Sequence, residues 1–354
     1  MTKTIRVKNV LIGGGNPVTI QSMTNTRTSD VDATVAQILR LERAGADIVR
    51  LSVNTSEAAD AIAKIRKQVT VPLVADIHFD HKLALTAIEN GIDKVRINPS
   101  NIGNEAAVRE VVASAKDHGV PIRVGVNAGS LDKDLSDRYG VTPFSLAESA
   151  LRNVALLEKF CFEDIVISAK CSDVRVNVDT YKLLSKKTMY PLHIGVTEAG
   201  SGDMALAKSY AGIGSLLLSD IGDTVRVSIT GDPVQEVSAA ENLLRAVGLR
   251  KNYVEVISCP TCARTEIDVL SLAEEVKRAT AHIALPYTVA VMGCVVNGIG
   301  EGSHADLGIA GGKDRSALIK HGEVLRIVPN ERIIYELLEE LQKDLNERHT
   351  ADNK

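Results

Sequence analysis

Up to Leu249 the chain alternates short apolar runs with longer amphipathic stretches. The runs Val18–Met23, Ile48–Val53, Leu73–Ile77, Lys94–Ile97, Ile122–Val126, Ile165–Ala169, Leu192–Val196 and Val225–Ile229 have strand length. Between them the apolar period lengthens to that of a helix. Val35, Ile38, Leu39 and Leu41 mark it in the stretch 31–44, and Ala59, Ile62, Ala63 and Ile65 in 56–69. Gly45, Gly91 and Gly119 stand where such helices end on left-handed backbone. Eight strand–helix repeats predict an α/β fold, a (β/α)8 barrel of the TIM type, over an open doubly wound sheet. No G-x-G-x-x-G follows the first strand, which agrees with that choice. Ahead of the barrel, Ile5–Ile12 alternates and runs into Gly13-Gly14-Gly15-Asn16-Pro17, which reads as a hairpin and a turn rather than a phosphate loop.

The repeat stops near Leu249, and Arg250-Lys251-Asn252 reads as a junction. This predicts two domains, a barrel over 1–249 and a smaller α/β domain over 250–354. The second opens with a strand, Tyr253–Ile257, that delivers Cys259. A helix from about Thr265 to Ala279 would then place Cys262 at or just before its amino end, where free N–H groups and the dipole favour a thiolate. Thr288–Met292 is a strand leading to Cys294, and Glu331–Leu345 a closing helix with a fraying tail after it. The run Asp132–Arg138 reads as an exposed polar loop.

Composition narrows the chemistry. A net charge of −4 gives no basic field, so neither nucleic acid nor an anionic membrane is an expected partner. Tryptophan is absent and aromatics make up 3%, which argues against base-stacking platforms. No apolar run approaches the ~20 residues of a membrane span, and the amino terminus lacks a signal-peptide apolar stretch. The expectation is a cytoplasmic protein with reduced thiols.

In a barrel, strand carboxyl ends face the active site. They carry Arg50, Arg96, Arg123, Lys170 and Arg226, with Asp76, His78, Asn98, Asn127, Ser168, Thr197, Glu198 and Ser228. Five cations would meet two opposing charges, Asp76 and Glu198. Burying them unpaired would cost about several kcal/mol each, so a polyanion, most simply a diphosphate gripped by arginines, is the expected occupant. The bland alternative pairs these cations outside the barrel. His78 reads equally as a general acid or a packing residue, and Lys170 as a phosphate cation or a Schiff-base lysine. Cys161 reads as core, and Cys171 as a bystander near the mouth.

Cys259-Pro260-Thr261-Cys262 and Gly293-Cys294 supply three thiols to one incomplete site. Zinc would take a fourth ligand such as His304. An iron–sulfur cluster would leave one iron for substrate or for an oxygen ligand such as Glu301. A thioredoxin-like dithiol and plain buried cysteines are the remaining readings, and the residues alone leave cluster and zinc open.

Cys259-Pro-Thr-Cys-Ala-Arg264, Gly293-Cys-Val-Val-Asn-Gly-Ile-Gly-Glu301 and Gln21-Ser-Met-Thr-Asn-Thr26 together resemble 4-hydroxy-3-methylbut-2-enyl diphosphate synthase of the bacterial two-domain kind, over essentially the whole chain. The resemblance implies a [4Fe–4S] cluster on Cys259, Cys262 and Cys294 with Glu301 as a displaceable oxygen ligand. It implies reductive ring opening and dehydration of 2-C-methyl-D-erythritol 2,4-cyclodiphosphate by two electrons, drawn singly from flavodoxin or ferredoxin, in a homodimer. Arg50, Arg96, Arg123, Lys170, Arg226 and Ser228 would hold the diphosphate. Asp76, His78, Asn98, Asn127 and Glu198 would surround the reacting carbons, with Asn297 approaching from the cluster side and Glu198 handling a proton. Ile299 stands where the family commonly has proline. The competing expectation is a zinc-stapled barrel lyase or aldolase acting through Lys170 on a phosphorylated sugar.

Overall fold

A hairpin comes first. β1 (Ile5–Val7) pairs antiparallel with β2 (Val10–Ile12), and the turn between them places Lys8 at a φ of 54°. Gly13, Gly14 and Gly15 all take positive φ, so this stretch is a turn that side chains would strain. Val7 and Ile12 pack on Ile48 and Val74 of the barrel that follows. This is a computed structural model, and it describes residues 1–296, 300 and 302–352. The expected sites at Asn297 and Glu301, and the departure at Ile299, lie outside the described residues.

Eight parallel strands follow: β3 (Thr19–Met23), β4 (Ile48–Ser52), β5 (Leu73–Asp76), β6 (Lys94–Ile97), β7 (Ile122–Asn127), β8 (Ile165–Lys170), β9 (His193–Ile194) and β10 (Thr224–Val225). They are ordered β8-β7-β6-β5-β4-β3-β10-β9. A bridge between Ile167 and Leu192 joins the two ends, so the sheet closes as a barrel. Outside it run α1 (Val31–Arg43), α2 (Ser56–Arg66), α3 (His81–Glu89), α4 (Glu105–His118), α5 (Lys133–Tyr139), α6 (Pro143–Lys159), α7 (Val174–Lys187), α8 (Gly202–Leu217) and α9 (Pro233–Ala246). Asp30, Thr55, Asn104, Thr142 and Asp173 cap their helices by accepting a backbone N–H of the first turn. The apolar faces Val35, Ile38 and Leu41 of α1 and Ala59, Ile62 and Ile65 of α2 are buried in one core with the outward residues of the strands.

Two expectations fail in this unit. The polar run after Asp132 is the short helix α5, tied to α6 by Arg152 Nη1 and Asp134 Oδ2 at 2.8 Å. Cys161 is exposed rather than core. It follows the last turn of α6 with φ 55°, its N–H donating to Glu158 O, and the next residue, Phe162, donates to Leu157 O and takes the buried place. A helix ended in this way turns the left-handed residue outward and the following apolar one inward.

Contacts divide the chain into Met1–Leu249 and Arg250–Lys354. The second unit holds a sheet ordered β11 (Val254–Ser258), β12 (Tyr287–Met292), β13 (Leu307–Ala310), β14 (Arg315–Lys320) and β15 (Glu323–Pro329), parallel through β13 and antiparallel after it. α10 (Val269–Thr280) and α11 (Ile333–Asp352) share a core with Val289, Val291, Leu307, Ile309 and Leu318 through Val269, Ala273, Val276, Leu337 and Leu341.

α10 begins four residues later than expected. Asp268 caps it, its carboxylate accepting from Ser271 N at 3.1 Å and Ser271 Oγ at 2.7 Å. Cys262 therefore sits in the loop before the helix, away from its dipole. The tail does not fray at Arg348, because that guanidinium binds Asp306 Oδ1 at 2.7 Å and Pro286 O at 3.0 Å while lying over the Tyr287 ring. No described helix is long and apolar enough to cross a membrane.

Candidate active site

Inward residues of an eight-stranded barrel stack in layers drawn from alternate strands. Following the registers upward, one deep layer holds Gln21, Val74, Arg123 and His193. The next holds Arg50, Arg96, Ser168 and Arg226, and the next Met23, Asp76, Gly125 and Gly195, with Lys170 and Ser228 above. The layer with two glycines is where the packed core gives way to a cleft. A Cβ on Gly125 would overlap Arg96 Nε and stand 2.7 Å from its Cζ and Nη2, and a Cβ on Gly195 would stand 2.6 Å from Lys170 Nζ. The missing side chains are the beds on which two cations lie.

The cleft is lined by Arg50, Asp76, His78, Arg96, Arg123, Asn127, Ser168, Lys170, Thr197, Arg226 and Ser228. All eleven are among the strand-end residues expected to face the site. Asp76 is the hub: Arg96 Nη1 lies 3.2 Å from Oδ1, Arg50 Nη2 3.8 Å and His78 Nε2 3.2 Å from Oδ2. Burial works against the Asp76 carboxylate, but Arg50, the His78 hydrogen bond and Arg96 outweigh it and hold the carboxyl well below the usual range. His78 is half exposed, so it is not a packing histidine. With Nε2–H toward Asp76, its Nδ1 accepts from Arg96 Nη1 at 3.4 Å, which occupies both ring nitrogens of the neutral form.

Burial first, and cationic repulsion after it, mark the rest of the cleft. Burial, then neighbouring Asp76, Arg226 and Arg96, set Arg50, whose pKa falls to about 10. Burial and the surrounding arginines push both Arg123 and Lys170 well below their ordinary values. Arg123 is 1% exposed, and its Nε and Nη1 find no partner among the described residues. Among the described residues, six buried or nearly buried cations, Lys94 included, face two carboxylates, Asp76 and Glu236. Glu236, on the first turn of α9, accepts from Arg226 Nη2 and Nε, both at 3.3 Å.

Two expected residues are not on the cleft wall. Asn98 Nδ2 donates to Ser130 O at 3.1 Å and so ties down the turn after β7. Glu198 is exposed at φ 53°, a conformation a residue with a Cβ adopts only under constraint. Cys171 is buried with the core, its N–H donating to Asn177 Oδ1.

In the second unit, Cys259 and Cys294 follow the carboxyl ends of the adjacent parallel strands β11 and β12. Both are half buried, Cys262 is exposed, and no disulfide joins the cysteines. Gly293 N donates to Cys259 Sγ at 3.2 Å, and a Cβ on Gly293 would stand 2.8 Å from Thr265 Cγ2. Backbone N–H bonds to sulfur suit thiolates that hold an iron–sulfur cluster, so the donor set fits one. Among the described residues no three histidine, cysteine or carboxylate side chains stand together as a metal-binding group.

Comparison with known proteins decides the family. The GcpE TIM-barrel domain matches residues 2–241 and the GcpE protein C-terminal domain residues 255–343. The chain belongs to the GcpE family. Relatives within it include the 4-hydroxy-3-methylbut-2-en-1-yl diphosphate synthase (flavodoxin) of Caldanaerobacter subterraneus subsp. tengcongensis, 55% identical over 98% of both chains. The protein of the same name from Anoxybacillus flavithermus is 52% identical over 100% of this chain and 97% of its own. The crystal structure of 7,8-dihydropteroate synthase from Vibrio fischeri matches 69% of this chain and 98% of its own with a TM-score of 0.50 at 13% identity, a likeness of fold alone.

Within the family's barrel, Glu236, Gly125 and Gly195 hold the cationic side chains of the cleft and Lys94 and His193 lie buried beneath it, and none of the five was singled out in the sequence. Gly125 and Gly195 left a trace, since glycine inside a strand signals a close approach. Glu236 left none, because it reaches the site from a helix.

Proposed function

We propose that this chain converts 2-C-methyl-D-erythritol 2,4-cyclodiphosphate to (E)-4-hydroxy-3-methylbut-2-enyl diphosphate, a two-electron reductive ring opening that releases water in isoprenoid biosynthesis. The observation that carries this is the surplus of buried cations at the mouth of a GcpE barrel, a charge pattern that a diphosphate completes. The names of relatives alike over the whole chain support the reaction. They also favour it over a zinc-stapled lyase.

Arg50, Arg96, Arg123, Lys170, Arg226 and Ser228 bind the diphosphate. Charge in a cleft with little water is felt strongly, so the anion and the cations stabilise each other. Asp76 and His78 do not face the substrate as a free acid and base. They orient Arg96, and Asp76 also steadies Arg50. Asn127 lies on the same wall and orients the carbon skeleton, while Asn98 holds the adjoining turn. Glu198, held out from the strand end, delivers the proton that lets the departing oxygen leave as water. Asn297 completes the substrate contacts.

A [4Fe–4S] cluster on Cys259, Cys262 and Cys294, with Glu301 as its oxygen ligand, would supply single electrons and Lewis acidity. Flavodoxin, which the relatives' names specify, is the electron donor, with ferredoxin as a substitute. The working assembly is a homodimer in the cytoplasm.

The test is anaerobic purification followed by iron and acid-labile sulfide analysis, then turnover with reduced flavodoxin. The expected result is about four iron and four sulfide per chain, formation of the linear diphosphate, and loss of both metal and turnover in Cys294→Ser. A protein with zinc and no sulfide, inactive on the cyclodiphosphate after anaerobic handling, would overturn the proposal.

A further inference from the structure

The barrel has a seam. β3 and β10, its first and last strands, pair only at Thr19 with Thr224 and Ile20 with Val225. Above those two pairs Glu236, from the first turn of α9, takes their place. It is 4% exposed, and its carboxylate accepts from Ser22 Oγ of β3 at 3.2 Å and from Ile229 N of the chain after β10 at 3.2 Å. It also accepts from Arg226 Nε and Nη2, both at 3.3 Å. Four donors thus meet two oxygens, which matches the acceptor capacity of an ionised carboxylate and exceeds that of an amide. Arg226 Nη1 is left pointing toward Met23 Sδ at 3.6 Å, and Arg226 itself lines the cleft.

We propose that Glu236 is a positioning residue for the diphosphate. It clamps Arg226 from outside the barrel, so that this guanidinium meets the anion already oriented, and it fixes the segment 226–229 that carries Ser228. Without the clamp, Arg226 would be repelled by Arg50 and Arg96 and would turn toward open solvent. Ser22, within the motif Gln21-Ser22-Met23, closes the same seam from the other strand. This rests on the assignment of Arg226 to the diphosphate.

A double-mutant cycle tests it, with KM and kcat for the cyclodiphosphate measured on the cluster-loaded enzyme and a thermal melt as a check on folding. Glu236→Gln should raise KM by about tenfold or more with kcat changed less than about threefold, the signature of lost uniform binding. In an Arg226→Ala background the same substitution should raise KM by no more than about threefold, since the guanidinium is gone and only the hold on the segment of Ser228 is left to lose. Glu236→Asp, which keeps the charge but shortens the reach, should fall between wild type and Gln, and it carries the cycle if Gln does not fold. An unchanged KM in Glu236→Gln, or an equal rise in both backgrounds, would overturn the positioning role while leaving Arg226 in place. An unchanged KM in Arg226→Ala would instead overturn the diphosphate assignment and this inference with it.

Discussion

Gly125→Ala puts one methyl group where Arg96 lies. The new Cβ would overlap Nε and stand 2.7 Å from Cζ and Nη2. To reach ordinary contact of about 3.5 Å the guanidinium must retreat by about an ångström and a half, in an interior that is close-packed. Arg96 is 5% exposed and is held by Asp76 Oδ1 at 3.2 Å and by Gly125 O at 3.0 Å, so retreat breaks those bonds. Overpacking costs about 1–3 kcal/mol of stability. A lost charged hydrogen bond to the ligand costs about 1.5–3 kcal/mol. At about 1.4 kcal/mol per factor of ten, the dissociation constant for the cyclodiphosphate should rise about 10- to 100-fold. Calorimetric titration measures it, and a melting curve separates weak binding from unfolding. Gly129→Ala is the control, since a Cβ there meets nothing within 4 Å. A folded Gly125→Ala protein that binds within twofold of wild type would refute the claim that this glycine beds Arg96 for the anion.

The remaining predictions concern protons. Burial, followed by Arg123 and Arg226, pushes Lys170 well below its ordinary value, and a bound diphosphate pulls it back up. Binding should therefore take up protons, at most about one, over part of the pH range below about 10.4, seen as a dependence of binding heat on buffer ionisation and lost in Lys170→Met; net proton release throughout that range would contradict it. Without ligand, the same depressed value means the unfolded chain binds more protons, so this group's contribution to stability should rise with pH up to about 10.4. Glu198→Gln should keep cluster content and KM while lowering kcat by about 10²–10⁴-fold, the usual worth of a positioned acid. Full turnover would remove Glu198 from the reaction.

Strand-end parity made Arg50, Arg96, Arg123, Lys170 and Arg226 legible in the sequence, because positions two apart on a strand face one side. The structure gathers all five on one cleft. Parity says nothing of depth, so Lys94 and His193, fully buried below the cleft, read as ordinary strand positions. Glu236 was hidden for another reason: its pattern belongs to α9, and only the parting of β3 from β10 lets it reach Arg226. The start of α10 was misplaced because Thr265 and Asp268 are both acceptable caps, and the hydrogen bonds from Ser271 favour Asp268. Cys161 was misread because apolar character was weighed without the left-handed turn that ends α6. The glycines of the cleft were legible only as turns or weak strand positions, since what they approach is supplied by neighbouring strands.

The central claim is that the cationic mouth of the barrel grips a diphosphate. The most direct measurement is the dissociation constant of the cyclodiphosphate for Arg123→Ala against wild type, on anaerobic protein with matched cluster content and melting behaviour. Arg123 is buried at the centre of the cations with no carboxylate partner among the described residues. Its removal should weaken binding about tenfold or more. An unchanged dissociation constant in a folded variant would contradict the claim and send the diphosphate elsewhere.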